Sequence, residues 1–446
     1  MKIISDNEAI QKNLRYLQQI MEDHGGWVDP EISIKCEAGS LSIEKEGFSN
    51  PDKPILALRS TLLLPVDKMG LHVKNDDILC TPEKGALTDI QDKISQCMIE
   101  LYNLTGKVKL HRETSCWFTF RKAPDLLARL LESRTMNQNQ KRFLAFTAGK
   151  ITSPGEENKI LCETYLKSRT LGHKDTHSGE EGFRDQGSGD NSIAPKIMPM
   201  VDFLNHHHSG SFYNFQEGNG TDNSDDNNKE FLVVNDRRPL PFSNECFTYY
   251  NQMDPVDSFI GYGFSDFFAS YVRSVPLELE IPNTGKIIVN SILGNLHKGK
   301  LPENAAGLRP YIPHTTGKSK EALEISHLLI PANPGMPHAL RRVLRILISN
   351  RVAASRSLNA AQIQECILVC EEKILKTNIK FYKDLLAHIE SAGIRNNPAM
   401  TEPAKIIRDL ATLQLTKLYK YSFDDSHFRE ESANVQTDEQ LEGAGS

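Results

Sequence analysis

Two short segments in the middle of this 446-residue chain carry the side chains best suited to chemistry. Residues 197–208 read IMPMVDFLNHHH, an apolar run into Asp202 and then Asn205-His206. Residues 244–264 read NECFTYYNQMDPVDSFIGYGF, a strand pattern ending in Tyr249-Tyr250 and then Tyr262-Gly263-Phe264. Each piece has a plain explanation by itself. Asn-His after a strand serves as a turn or cap, and Tyr-Gly-Phe serves as core packing that ends at a flexible glycine. Taken together they offer phenols, an amide and an imidazole.

In this order the pieces resemble the SET-domain protein methyltransferases. The correspondence runs through a D-x-x-N-H segment (Asp202, Asn205, His206), a Tyr at the end of the next strand (Tyr250) and a closing Y-G-F (Tyr262 to Phe264). ETSCWFTF (113–120) is similar to the E-x-S-x-W-x-x-Y element of the Rubisco large-subunit methyltransferase subfamily, and Ser168-Arg169-Thr170-Leu171-Gly172 to its S-R-A-F-G. The likeness covers about residues 10–420, with SHLLIPANPGMPHALRRVLRIL (326–347) similar to the subfamily's substrate-binding domain.

The resemblance implies S-adenosylmethionine as cofactor, S-adenosylhomocysteine as product, and a protein lysine as methyl acceptor. It implies catalytic work for Tyr262, with Tyr250 as a wall of the lysine channel. Cofactor contacts fall to Asn205, His206, Arg169 and Tyr262, and to the turn Glu37-Ala38-Gly39, where the family has a glycine-richer loop. Arg169 would reach the cofactor carboxylate, a role suited to a charged fork donor. Asp202, Tyr250 and Leu171 fall on the substrate side, Asp202 as a brace or as purely structural. Histidine as acceptor, or an inactive scaffold that only binds a partner, stay as alternatives. Leu171 and Tyr262 favour lysine over histidine. Three departures from the family pattern are His207-His208 after Asn-His, Asp254-Pro255 before the last helix, and Cys246 and Phe247 as ordinary strand substitutions. The triple His has no Cys or carboxylate placed nearby in sequence, so no metal site is assigned.

The elements that must position these residues follow from periodicity. Residues 1–25 carry a helical stripe of Ile10, Leu14, Leu17, Ile20 and Met21. Short apolar runs from 26 to about 85, and again from 170 to 265, read as strands between Gly, Pro and Asn turns. A helical inset fills about 85–170, and an all-α domain, the expected dock for a protein substrate, runs over 275–425. With the resemblance, the expected fold is α+β, an irregular β core that the family closes by a pseudoknot, followed by helices. Stretches 172–195 and 216–230 read as solvated loops, and 426–446 as a disordered acidic tail.

Composition narrows the partners. With 52 basic against 58 acidic residues the net charge is −6, which disfavours a nucleic-acid-binding surface. No window is apolar enough for a membrane span. The eight cysteines form no C-x-x-C pair and are spread along the chain, which speaks against structural zinc and a disulfide framework. Cys366 and Cys370 read as small core residues. The expected protein is a monomer without nucleic acid or membrane, intracellular in cytoplasm or nucleus, with export as a bacterial effector left open.

Overall fold

The computed structural model describes residues 1–174, 193–217, 230–292, 303–319, 321–332, 336, 338–353, 358–390 and 400–421. The centres of both expected polar loops and the acidic tail lie outside these residues. Two compact units emerge. The first comprises Met1–Ala128, Met136–Phe268 and Pro398–Pro403; the second Arg129–Thr135, Ala269–Asn397 and Ala404–Ser446.

In the first unit, helix α1 (Glu8–Asp23) starts where the Asn7 side chain accepts the Ala9 N–H at 2.9 Å. That satisfies one of the donors a helix start leaves unpaired. Its stripe of Ile10, Leu14, Leu17, Ile20 and Met21 is buried, as 3.6-residue periodicity requires. A strand β1 (Lys2–Ile4), which the sequence reading missed, precedes it and joins β3 (Ile32–Glu37) and β4 (Ser40–Lys45) in one sheet. A second sheet orders β12 (Asn214–Glu217), β13 (Glu230–Asn235), β5 (Pro54–Arg59) and β2 (Trp27–Val28). A third places β10 (Ile193–Ile197) between β6 (Leu64–Pro65) and β9 (Thr170–Lys174), and β7 (Leu71–Lys74) pairs with β8 (Asp77–Cys80). The described flanks of the two polar loops are thus strands.

Helices then follow over 89–167: α2 (Asp89–Leu104), α3 (Lys107–Thr114), α4 (Cys116–Thr119), α5 (Pro124–Leu131), α6 (Gln138–Thr147) and α7 (Pro154–Lys167). A Thr88/Gln91 capping box opens α2. The segments carrying the suspected chemistry then adjoin. Strand β11 (Asn205–Ser211) pairs in parallel with β14 (Phe247–Thr248), Asn205 opposite Phe247 and His206 opposite Thr248. Helix α8 (Pro255–Tyr262) follows.

The second unit corrects the all-α expectation for 275–425. Two sheets come first. β15 (Tyr271–Arg273) pairs with β20 (Leu329–Pro331), and β16 (Leu277–Ile281), β17 (Gly285–Val289), β19 (Ala322–Ile325) and β18 (Thr315–Lys318) form a four-stranded sheet in that order. The sequence LELEI of β16 alternates its burial at period two, with Leu279 and Ile281 inside. A turn with Asn283 at φ 59° and Gly285 at φ 102° returns the chain into β17. Only then come α9 (Ala339–Ala353), α10 (Ala360–Glu390) and α11 (Thr401–Lys420). Their core holds Leu344, Ile348, Ile374, Leu385, Ile407 and Leu410, with Cys366 and Cys370 among the buried free cysteines. Among the described residues no helix is long and apolar enough to cross a membrane.

Candidate active site

Asp202 lies at the centre of the first polar cluster, in a single 3-10 turn, Val201–Phe203, between β10 and β11. The apolar run is thus not one strand, because it breaks at Met200, whose φ is 60°. A buried non-glycine residue in that region costs on the order of 1–3 kcal/mol and persists only where its surroundings impose it. Asp202 Oδ2 accepts the Tyr102 hydroxyl at 2.9 Å and the Arg169 Nη1 at 3.0 Å. Arg169 stands just past the end of α7, with its guanidinium 4.8 Å above the Tyr165 ring and 5.6 Å from the Tyr102 ring centroid. Its Nε is buried and has no hydrogen-bond partner among the described residues.

Burial lifts the Asp202 carboxyl above its usual range, against the pull of Arg169 and Tyr102. Tyr102 rises well above the ordinary phenol value through burial and the adjacent Asp202 charge. Burial also works against the Arg169 charge, but the facing Asp202 outweighs it, so Arg169 stays cationic. The two charges cancel locally.

The second cluster surrounds His206. Its Nδ1 accepts the Tyr250 backbone N–H at 3.1 Å, which leaves Nε2 to donate to Asp266 Oδ2 at 3.2 Å. The backbone donor therefore fixes the tautomer. Burial would raise the Asp266 pKa, but the His206 hydrogen bond and the Phe268 N–H bring it below the usual carboxylate value. The ring of His206 packs 5.2 Å from Tyr250 and 5.7 Å from Phe264.

Tyr250 joins this cluster to a wall of phenols. Its hydroxyl donates to the Leu204 carbonyl at 2.7 Å, and its ring lies 5.2 Å from that of Tyr262. Tyr262 is the last residue of α8 and packs 5.8 Å from Phe264. Gly263 at φ 80° ends the helix, and a Cβ there would sit 2.7 Å from the Thr114 carbonyl oxygen. Asp254-Pro255, a departure from the family pattern, has a local purpose here. Asp254 caps α8 reciprocally with Asp257, and Pro255 occupies the first turn, where a missing N–H is harmless. Burial pushes the Tyr262 phenol up to about 12. Its hydroxyl, unlike that of Tyr250, bonds to no other described residue.

The remaining expected residues lie around these clusters. Asn205 donates to Glu245 Oε1 at 2.6 Å, and burial raises that carboxyl. Leu171 is half-buried in β9 opposite Lys196, two residues after Arg169. Glu37 is turned to solvent and pairs with Lys35 at 2.8 Å, so it stands outside both clusters. Gly39 lies in the β3–β4 turn, which rests on the junction of α2 and α3. His207 packs tilted against Phe268 at 5.2 Å and His208 stacks on it at 6.0 Å, and the described residues hold no group of three His, Cys, Asp or Glu placed for a metal.

Sequence reasoning missed Tyr102, Tyr165 and Asp266. The two tyrosines read as ordinary helix core, and nothing in local spacing ties position 102 to position 202. Asp266, two residues past Tyr-Gly-Phe, was within reach of inspection.

Compared with known proteins, the chain matches no family model and no curated protein. Among solved structures it is similar to the SET domain of LSMT bound to lysine and AdoHcy, with 13% identity, a TM-score of 0.40, and coverage of 96% of this chain and 93% of that one. It is also similar to Rubisco LSMT bound to sinefungin and monomethyllysine, at 13% identity and TM-score 0.36 over 97% of this chain and 94% of that one. The same protein bound to AdoMet gives 13% identity and TM-score 0.35 over 98% and 97%.

Proposed function

We propose that the chain is an S-adenosylmethionine-dependent protein-lysine N-methyltransferase with a SET-type core. The observation that carries this reading is the hydroxyl of Tyr262. It is held in a wall with Tyr250 and Phe264 and has no partner among the described residues, while Tyr250 commits its own hydroxyl to Leu204. A phenol oxygen of this kind suits a group that arrives from outside. The neighbouring residues fit the cofactor. Arg169, with its orphaned buried Nε, suits a carboxylate. The backbone at Asn205-His206 suits an adenine edge, and Gly39 in the β3–β4 turn is a further proposed contact, whereas the solvent-facing Glu37 would have to leave Lys35 to reach the cofactor.

When bound, S-adenosylmethionine supplies an activated methyl group on a sulfonium, and the chain's residues supply position and electrostatics. Tyr262, whose pKa of about 12 keeps it neutral near pH 7, can accept the hydrogen bond of an entering amine and fix its direction. Exclusion of water around an amine seated beside Tyr250 and Tyr262 would disfavour its ammonium form and lower a lysine from its ordinary value of about 10.4 towards the neutral nucleophile. Asp266 holds His206, which holds the Tyr250 backbone in place. Asp202 acts through Arg169. Leu171 lines the acceptor side, and Tyr262 favours lysine over histidine. A protein substrate docking on the second unit belongs to the same proposal; Ile346, Val369 and Tyr419 are exposed there.

Calorimetric titration of the full chain with S-adenosylhomocysteine tests the cofactor. Mass spectrometry of a lysate incubated with the protein and labelled S-adenosylmethionine tests the acceptor. Saturable binding and label on lysine are expected. No binding would sink the reading, and label on histidine would move the acceptor while keeping the chemistry.

A further inference from the structure

The positive charge at the Arg169 corner exceeds what the site itself neutralises. Arg169 and Asp202 cancel, yet Lys107 adds a second cation that forms no ion pair or hydrogen bond with a described residue. Lys107 is half-buried and is the first residue of α3. His111, one turn further along the same face, sets its ring edge-on to Tyr165 at 5.6 Å and bonds Thr164 at 3.0 Å. The opposite face of that Tyr165 contact is informative too, since Arg169 lies over the same ring at 4.8 Å. The side of α3 bearing Lys107 is thus turned towards Arg169. The β3–β4 turn closes the corner, because a Cβ at Gly39 would lie 2.6 Å from the carbonyl oxygen of Thr105.

The local sequence is also wrong for a helix start. Gly106 offers no side-chain cap, and the first turn has Lys107 and Lys109 but no acidic residue. Cations there oppose the helix dipole. Burial and Arg169 together lower the Lys107 pKa to about 8, with Asp202 and Cys36 pulling the other way. Each of these costs is relieved by an anion beside the ammonium group. Local misfit of this sort is expected where a chain keeps a functional side chain at some loss of stability.

We infer that Lys107 is a further cofactor-binding residue whose ammonium group, beside Arg169, receives the carboxylate of S-adenosylmethionine. This rests on the methyltransferase reading above. Lys107 takes no part in methyl transfer itself; its role is read in affinity.

The test compares two ligands on the full chain by calorimetry. S-adenosylhomocysteine has the carboxylate, and 5′-methylthioadenosine shares the nucleoside and sulfur but lacks it. Lys107→Met keeps the length of the side chain and removes the charge. It should weaken S-adenosylhomocysteine by about 10- to 150-fold, the range for losing one charge-assisted contact. Methylthioadenosine should bind parent and variant alike, which also shows that the variant is folded. Lys107→Arg should restore most of the lost affinity, and Lys107→Gln is read in the same way if the Met variant melts early. Equal affinity of parent and Lys107→Met for S-adenosylhomocysteine would overturn the inference alone, as would equal weakening of both ligands. A parent chain that binds neither ligand would overturn it together with the methyltransferase reading.

Discussion

Tyr250 and Tyr262 are the same side chain in ring contact, and their surroundings give them different work. The Tyr250 hydroxyl is spent on the Leu204 carbonyl at 2.7 Å, whereas the Tyr262 hydroxyl bonds to no described residue. Tyr250→Phe should therefore act on stability, at about 1 kcal/mol for the lost hydrogen bond. Tyr262→Phe removes an oxygen that bonds nothing internally, so melting should stay within the range of a neutral surface change, about 0.5 kcal/mol. Its single-turnover methyl-transfer rate should instead fall by roughly 10²–10³, as when one preorganised polar group at a transition state is lost. Melting temperature and rate measured on the same preparations separate the two tyrosines, and a Tyr262→Phe protein that transfers methyl at the parent rate would end the catalytic assignment. Asp202, Asn205, His206, Tyr250 and Tyr262 were nameable from sequence because each stands in a short pattern with turn chemistry around it. Tyr102 and Lys107 were not. Their meaning comes from α2 and α3 folding onto a turn roughly a hundred residues away.

Among the elements, the β3–β4 hairpin shows how a turn can place a site. Ala38 at φ 49° and Gly39 at φ 79° make its two-residue loop, the left-handed pair that matches the twist of the strands. Gly39 also meets the Thr105 carbonyl, whereas Gly47, with nearly the same φ of 83°, has nothing within 4 Å of its would-be Cβ. The two glycines form a matched comparison. Gly47→Ala should cost only the left-handed backbone penalty, about 1–2 kcal/mol. Gly39→Ala adds a clash with backbone that cannot swing aside, so urea unfolding should show a clearly larger loss, and the turn's displacement at Lys107 should weaken cofactor binding. Equal losses for both variants would mean that the hairpin does not press on the α2–α3 junction. Helices such as α1 were legible because a 3.6-residue stripe is long and redundant. The strands of the second unit were not, since five-residue alternations such as LELEI are short and stand close to a long helical pattern that dominates the reading. The 3-10 turn at Asp202 was hidden for another reason: an apolar run predicts burial but not the positive φ of Met200.

For the molecule as a whole, the net charge of −6 says little about what holds it together, because the decisive charges are few and buried. The two units were only coarsely visible in the sequence. The assignment of Arg129–Thr135 to the second unit depends on contacts that no window reveals. In the first unit, Asp29 and Lys45 are almost fully buried and meet at 2.6 Å, and Asp29 also accepts the Glu31 N–H at 2.9 Å. Burial pulls the Asp29 pKa upward, but its hydrogen bonds to Lys45 and the Glu31 backbone and the charge of Lys45 outweigh this, so the folded value lies below the ordinary one. Lys45, for its part, is raised: burial opposes its charge, and its bond to Asp29 more than compensates. A carboxyl lowered by folding contributes stability that is present above its unfolded pKa of about 3.9 and is lost as pH falls through the folded value. The raised lysine contributes below about 10.4 and is lost only as pH rises through its folded value. Asp202 and Glu245, both raised, work in the opposite sense just above pH 4, so the acid limb of the parent profile is a balance of the two kinds. Asp29→Asn isolates one side of it. Lys45 would keep only the exposed Glu31 carboxylate at 3.4 Å, so the loss near pH 7 should fall somewhat below the ~3–5 kcal/mol of a fully orphaned buried charge, at about 2 kcal/mol. That difference should hold between roughly pH 5 and 10 and shrink as both proteins are taken below about pH 4, where the parent loses the same charge. Unfolding free energies of parent and variant measured from pH 8 to pH 3 decide the matter, and a gap that stays constant down to pH 3 would show that this pair does not shape the molecule's acid stability.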